Sequence, residues 1–272
     1  MKHCFAISAY EESPYLEQCI RSLKAQSVSS DVILCTSTPN GLISGLSEQY
    51  GIPLFIREGK SSLKDDWNFA IRTAAEQRGA GLVTVAHQDD VYHRDYLKAL
   101  QYALRRFPDI SVFCTRYRTV DAEGKTLKTR AESVKRLLRI PLRFHALCAL
   151  PAVKKLPLIF GNGIGCPTCT YQLAKTGEPV FQNDYHFVID WETLLRLADG
   201  PGRFFCIEKE LVDYRVHDGA ETKKNIRNHN REAEETEIFR KLWPAPAAAI
   251  LMHFYKKAYR DYNADTVSDT DK

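Results

Sequence analysis

No stretch of this chain approaches the roughly 20 apolar residues that a membrane-spanning helix needs. A secretory signal is not expected either, because Glu11 and Glu12 interrupt the opening MKHCFAISAYEE before an apolar export region can form. Eight cysteines among 272 residues make no disulfide scaffold, so they read as reduced thiols on the cytosolic side. Extreme charge is absent: 38 basic against 34 acidic side chains leave +4, which argues against a dedicated nucleic-acid binder. There is no internal repeat. What remains, 44% hydrophobic and 26% charged, is a globular α/β chain able to bury a sizeable core.

The small total charge hides an uneven distribution. Residues 125–158 hold nine cations against Glu132 alone, an excess of +8 that leaves the rest of the chain at −4. That block asks for an anionic neighbour.

Short β-rich runs alternate with helical patterns through the first half. His3–Ala9, Val32–Thr36, Pro53–Arg57, Leu82–Ala86 and Ile110–Cys114 read as strands. Between them, Ser13 is expected to cap a helix with Pro14 in its first turn, and Leu16, Cys19, Ile20 and Leu23 recur at helical spacing. Leu63, Trp67, Ala70, Ile71 and Ala74 mark a second helix stopped by Gly79, and Tyr96–Phe107 a third closed by Pro108. Near-continuous apolar strands alternating with helices predict a mostly parallel sheet covered on both faces. Ligands of such sheets bind beyond the strands' carboxyl ends, here after Ala9, Thr36 and Ala86.

The pattern changes beyond Val120. Residues 121–124 read as a hairpin turn, 133–158 as a basic Leu-rich stretch, and Gly161–Gly165 as a flexible loop leading into a strand over Pro167–Tyr171. Phe187–Ala198 reads as a helix and Leu211–Val216 as a last strand. Two helices follow, then a frayed polar tail, VSDTDK. The expected division is 1–120, 121–220 with the basic segment 133–158, and 221–272 as a helical extension of the same domain.

His87-Gln88-Asp89-Asp90 follows the fourth strand directly. Adjacent carboxylates are costly to hold together unless a cation offsets them, and oxygen ligands suit Mg²⁺ or Mn²⁺ shared with a substrate's phosphates. The plainer reading is a helix N-terminus, where Asp opposes the dipole favourably. The surrounding order favours the first. Ile7-Ser8-Ala9-Tyr10-Glu11-Glu12 with Ser22-Leu23 and Gln26, then Trp67-Asn68-Phe69-Ala70-Ile71, then the tandem acids follow in sequence. Phe187-Val188-Ile189-Asp190-Trp191-Glu192 and Tyr214-Arg215-Val216-His217 complete the series. Together these five segments resemble the family 2 glycosyltransferases in the family's own order.

The resemblance implies a GT-A fold, Rossmann-like, with C-terminal helices, in which 1–120 is the nucleotide-sugar-binding half and 121–220 the acceptor-binding half, and an inverting transfer from a nucleoside-diphosphate sugar to a glycan or lipid-linked acceptor. It implies a divalent cation, Mn²⁺ or Mg²⁺, held by Asp90 and His217. Ala9, Tyr10, Glu12, Thr36, Asp66, Asp89 and Arg215 are expected on the donor side, and Cys166, Thr168 and Trp191 on the acceptor side. A diphosphate leaves badly unless its charge is neutralised, and a weakly nucleophilic hydroxyl needs a carboxylate to take its proton. Asp190 and Glu192 project about 200° apart on a helix, so one face cannot present both. Glu192 has Arg196 at ion-pair spacing whereas Asp190 has Leu194, so the base is assigned to Asp190.

Two departures stand out. After the second strand the family carries an acid that contacts the nucleobase, but Cys35-Thr36-Ser37-Thr38 has none. His87 replaces a frequent leading Asp. Cys166-Pro167-Thr168-Cys169 is weak for zinc without a second pair, and weak for redox chemistry without a helix behind it. The 133–158 block suits an anionic membrane or a phosphate-bearing acceptor, as part of lipid-linked or surface glycan synthesis on the cytoplasmic face. Leu251, Phe254, Tyr255, Ala258, Tyr259 and Tyr262, with Lys256, Lys257 and Arg260 beside them, suit either packing or a membrane surface. Two rivals remain at this stage. A nucleotidyltransferase would show a Gly-rich basic signature after the first strand, and an idle nucleotide-sugar binder would retain the acids without turnover.

Overall fold

The first strand already divides the molecule into layers. β1 (His3–Ala9) sends Cys4 and Ala6 to one face of a sheet and Phe5, Ile7 and Ala9 to the other, the period of two that a pleated strand imposes. The computed structural model describes residues 1–128, 130–217 and 230–264. In chain order, α1 (Leu16–Lys24), β2 (Asp31–Thr36), α2 (Gly41–Tyr50), β3 (Leu54–Ile56), α3 (Leu63–Arg78) and β4 (Leu82–His87) build the first half of the sheet. Then come β5 (Val91–Tyr92), α4 (Tyr96–Arg106), β6 (Ile110–Val120), α5 (Arg130–Leu138) and α6 (Pro151–Lys155). The remainder is β7 (Thr170–Gln172), α7 (Leu173–Thr176), α8 (Ile189–Asp199), β8 (Arg203–Arg215), α9 (Asn230–Leu242) and α10 (Ala245–Ala264).

The eight strands form one sheet in the order β3-β2-β1-β4-β7-β6-β8-β5. It is mixed, with helices on both faces. β1, β2, β3 and β4 run parallel, as do β6 and β8, but β7 lies antiparallel between β4 and β6, and β5 is antiparallel to β8. A buried polar chain fixes β7 in this slot. Thr170 Oγ1 lies 2.6 Å from Thr84 Oγ1 and 2.9 Å from Tyr96 Oη, and Thr84 Oγ1 is in turn 2.9 Å from His3 Nε2. Hydroxyls that can both donate and accept satisfy one another there without an ionised group.

Leu16, Ile20, Leu97 and Leu100 cover one face, while Trp67, Ile71, Leu194 and Phe239 cover the other. Each such side chain contributes about 1.5–3 kcal/mol when fully buried. Gly79 ends α3 in the left-handed conformation (φ 62°) that the sequence predicted. Ser13 is not the N-cap of α1: that position is Tyr15, without a side-chain bond, and Ser13 Oγ, two residues upstream, accepts from Tyr15 N–H at 3.3 Å while donating to Asp89. Residues 121–124 do turn, with Asp121 N–H donating to the Lys125 carbonyl and Val120 bridging Thr126. β6 and β8 are longer than predicted, since each pairs with the other past the sheet body.

The stretch 161–165 is packed rather than flexible. A Cβ on Gly163 would come within 2.7 Å of the Pro157 carbonyl, and one on Gly165 within 2.7 Å of the Tyr117 ring. Cys166–Thr168 forms one 3-10 turn instead of strand, held by Tyr92 Oη on the Pro167 carbonyl (2.7 Å) and Tyr96 Oη on the Thr168 carbonyl (2.9 Å). All eight cysteines are free. Among the described residues no helix is long and apolar enough to cross a membrane. The tail 267–272, and the side chains of Lys257, Ala258, Tyr259, Arg260 and Tyr262, lie outside the described residues.

Candidate active site

β1 and β4 end side by side, with Ser8 opposite His87. A reciprocal pair locks the turns beyond them: Tyr10 N–H donates to Gln88 Oε1 and Gln88 Nε2 donates to the Tyr10 carbonyl, both at 2.9 Å. Glu11 follows at φ 51°, and its N–H donates to Thr38 Oγ1 beyond β2. From below, Gln26 at the end of α1 donates to the His93 carbonyl and accepts from Leu97 N–H, while Ser22 Oγ accepts from Tyr92 N–H. The Ser-Leu-x-x-Gln segment therefore braces the turn that carries the tandem acids.

Asp89 and Asp90 sit in different environments. Asp90 is 1% exposed; its Oδ1 accepts Arg215 N–H at 2.9 Å, and its Oδ2 has no hydrogen-bond partner. Burial, reinforced by the Asp89 charge, pushes its carboxyl well above the usual range. Burial acts upward on Asp89 as well, but the His217 imidazole and the Ser13 hydroxyl outweigh it and the net direction is down. Ser13 Oγ donates to Asp89 Oδ1 at 2.7 Å, and His217 Nε2 lies 3.2 Å from Asp89 Oδ2 without hydrogen-bond alignment. His87 stacks on Trp67 (5.1 Å, 21°), and burial lowers its pKa to about 4, so it is neutral. His87 Nε2, His217 Nε2 and Asp90 Oδ2 are three buried polar atoms without hydrogen bonds at one corner.

Arg215 is not free to brace a diphosphate. Its Nε donates to the Asp89 carbonyl, Nη1 to the carbonyls of Asp121 and Ala122, and Nη2 to Gln18 Oε1, at 2.7–3.0 Å. It is 3% exposed and stacks over Tyr15. The guanidinium ties the acidic turn to the 121–124 hairpin and, through its own N–H, aims Asp90.

Opposite lies Asp190, in the first turn of α8. Its Oδ2 accepts from Asn162 Nδ2 and its Oδ1 from Trp191 N–H, both at 2.8 Å. Burial raises its pKa, against a downward pull from Lys135, Trp191 N–H and Asn162. Glu192 turns away and accepts from Asn183 Nδ2 (2.8 Å); the expected pair with Arg196 does not form, because Arg196 donates to the Val180 carbonyl. Asn68 exchanges two hydrogen bonds with the Phe181 backbone and so pins the segment leading into α8.

Asp66, Asp89, Asp90, Asp190, Cys166, Tyr10 and Arg215 line one cleft of about 770 Å³, within the range of small-molecule sites. Asp66 is held by Arg57 Nε (2.7 Å) and Ser61 Oγ (2.6 Å). Of the other expected residues, Ala9 and Thr36 are buried, with Thr36 Oγ1 accepting from Thr38 N–H, and Glu12 is exposed outside the cleft. Thr168 is fully buried on the Gly165 carbonyl, and Trp191 touches the cleft but spends its Nε1–H on the Leu158 carbonyl. Burial keeps the Cys166 thiol protonated.

Sequence reading missed the far wall. Lys135 of α5, Arg231 and Glu235 of α9, and Tyr255 of α10 all line the cleft. Glu235 is 1% exposed, accepts from Arg231 Nε at 2.9 Å, and burial pushes it up to about 7. Positions 231, 235, 238 and 239 share one helical face whose first two members are charged, and that is the signal that marks the site. Tyr255 packs on Trp191 and Phe239, so this part of the aromatic stripe is core, while Phe254 points outward.

Comparison with solved structures returns glycosyltransferases of the same fold at low identity. S. aureus TarS 1-349 in complex with UDP-GlcNAc superposes with a TM-score of 0.59 at 13% identity, over 89% of this chain and 71% of that one. The mannosyltransferase PcManGT from Pyrobaculum calidifontis, in complex with GDP-Man and Mn2+, gives 0.59 at 14% identity, over 100% of this chain and 76% of that one. A comparison with curated protein sequences returned no match. The model of the family described as "Glycosyl transferase family 2" matches residues 4–152, more than half of the chain. The chain belongs to glycosyl transferase family 2.

Proposed function

We propose that this glycosyltransferase is metal-dependent and inverting, and transfers a sugar from a nucleoside diphosphate to a hydroxyl of a glycan or lipid-linked acceptor at the cytoplasmic face of a membrane. The observation that carries this reading is Asp90 Oδ2, buried without a hydrogen-bond partner on the same cleft as Asp190, with His217 Nε2 beside Asp89 at the acidic turn. A hard carboxylate oxygen and an imidazole nitrogen suit Mn²⁺ or Mg²⁺. Among the described residues no group of three His, Cys, Asp or Glu forms a cage for a metal, which fits a cation completed by donor phosphates and water. When bound, such a cation neutralises the charge that develops on the departing diphosphate.

The protein's own residues do the rest. Arg215 N–H aims Asp90, and Asp89, kept ionised, holds the His217 ring and the Ser13 hydroxyl. Asp190, steadied by Asn162, takes the acceptor proton at Oδ2 as its hydroxyl attacks. Its raised pKa brings the base nearer to neutral pH, where proton transfer is most effective. Asp190 as the base, with Glu235 engaged by Arg231 and the Cys166 thiol kept protonated by burial, suits a single displacement with inversion. With no acid after β2, Thr36–Thr38 offers only hydroxyl and backbone groups to a nucleobase.

The test is a thermal-shift series with UDP and GDP, with and without Mn²⁺, on the wild type and on Asp90→Asn. Metal-dependent stabilisation of the wild type is expected, since ligands that bind only the folded state raise its melting temperature. The gain should vanish in the variant. Equal stabilisation with and without metal would reject the metal-dependent reading.

A further inference from the structure

Fourteen large apolar side chains are exposed among the described residues, and eight of them fall between Val134 and Phe160. Leu137, Phe144, Leu147 and Leu150 are each more than half exposed. They project from short elements in succession: α5, 3-10 turns at Ile140–Arg143 and His145–Leu147, and the start of α6. Scattered single exposures need no explanation, but one contiguous run of this kind marks a surface meant to be covered.

Charge decides what covers it. From Ser133 to Phe160 there are six cations and no acid. Two of the cations are internal: Arg139 donates to the Gly163 carbonyl, and Lys154 to the carbonyls of Gly200 and Gly202. Arg143 and Lys155 pair with Glu208 and Asp199 outside the stretch yet stay about two-fifths exposed, and Arg136 is exposed. A second copy of the chain meeting this patch about a two-fold axis would set these cations against one another with no acid of the patch to answer them. Lipid phosphates answer them, and acyl chains take the apolar tips between.

We propose that residues 134–160 are a membrane-docking surface for anionic lipid. The run ends at Phe160, two residues before Asn162, which donates to Asp190. The docked surface thus sets the acceptor wall of the cleft at headgroup height. The docking itself stands independently of the transfer reaction; only the corollary that the acceptor is lipid-borne rests on the reading given above.

Vesicle flotation of the full chain tests it, with phosphatidylglycerol–phosphatidylcholine vesicles against phosphatidylcholine alone and no donor present. Wild type should float with the anionic vesicles and bind the neutral ones at least tenfold less. The triple variant Leu137→Glu/Phe144→Glu/Leu147→Glu should lose at least tenfold in anionic-vesicle binding with an unchanged melting temperature. An Arg136→Glu/Arg143→Glu variant should lose the preference for anionic lipid while keeping weak binding to both. Wild type that stays in solution, or a triple variant that floats as well as wild type, overturns the proposal. So does a wild-type dimer on size-exclusion chromatography that the triple variant turns into a monomer, which would make the patch a contact between copies. Because flotation needs no turnover, its failure leaves the transferase reading untouched.

Discussion

Asp89 and Asp90 are neighbours in the chain at the end of one strand, whereas Asp190 and Glu235 reach the opposite wall of the cleft from two separate helices. Burial presses upward on all four carboxyls, yet the outcomes differ. At the strand end one acid is relieved by His217 and Ser13 and goes down, while its neighbour goes up. On the helical wall both go up, because Lys135, Trp191 N–H and Asn162 at Asp190, and Arg231 at Glu235, supply too little to offset desolvation. Adjacent acids pushed apart suit a site that awaits a cation, and acids raised together suit a site that handles protons.

The sharpest way to break this comparison is Asp190→Asn. Transfer should fall about 10²–10⁴-fold while metal-dependent binding of UDP or GDP is retained. Loss of both together would mean that the two walls are not functionally separate. Next in size is Gly165→Ala, whose new Cβ meets the buried Tyr117 ring at 2.7 Å. Chemical denaturation should register a loss of about 1–3 kcal/mol, and a neutral result would mean that the ring yields freely.

His3 offers a control remote from both walls. It sits between Ser30 and Thr84, and burial lowers its pKa to about 3. A histidine held neutral in the fold keeps its full stabilisation above the unfolded value near 6.5 and loses it as pH falls toward 3. Relative to His3→Asn, wild type should therefore lose up to about 1.4 kcal/mol per pH unit below 6.5. Parallel stability curves for the two proteins would contradict the buried neutral state. The smallest effect is expected from Asn162→Ala. Removing a hydrogen bond that lowers the Asp190 pKa should shift the acid limb of kcat/KM upward by a fraction of a pH unit. A downward shift would mean that Asn162 acts through something other than Asp190.

Much of the strand-end wall of the cleft was legible because its residues are local. A strand, a turn and a helix cap lie within a dozen positions, so apolar runs and the tandem acids announced them. β1 was read to its exact bounds. Arg215 was harder, since its acceptors are backbone carbonyls at positions 89, 121 and 122, which no side-chain pattern reveals. Ser13 looked like a cap but serves Asp89, a partner 76 positions away. The Cys166–Thr168 turn depends on two tyrosine hydroxyls from α4 and β5, and without them the run reads as strand. Glu235 escaped notice because only the fold brings α9 over the cleft.

The placement of β7 has a consequence for how the chain comes together. β4 and β6 are made early, yet the strand that joins them arrives only with residues 170–172. A nascent chain of the first 120 residues would therefore leave β4 and β6 bare where β7 later lies, each a template for unwanted pairing. Excising residues 1–120 would leave the same edges bare, so the cleft comes to maturity only as the later residues are laid across the gap.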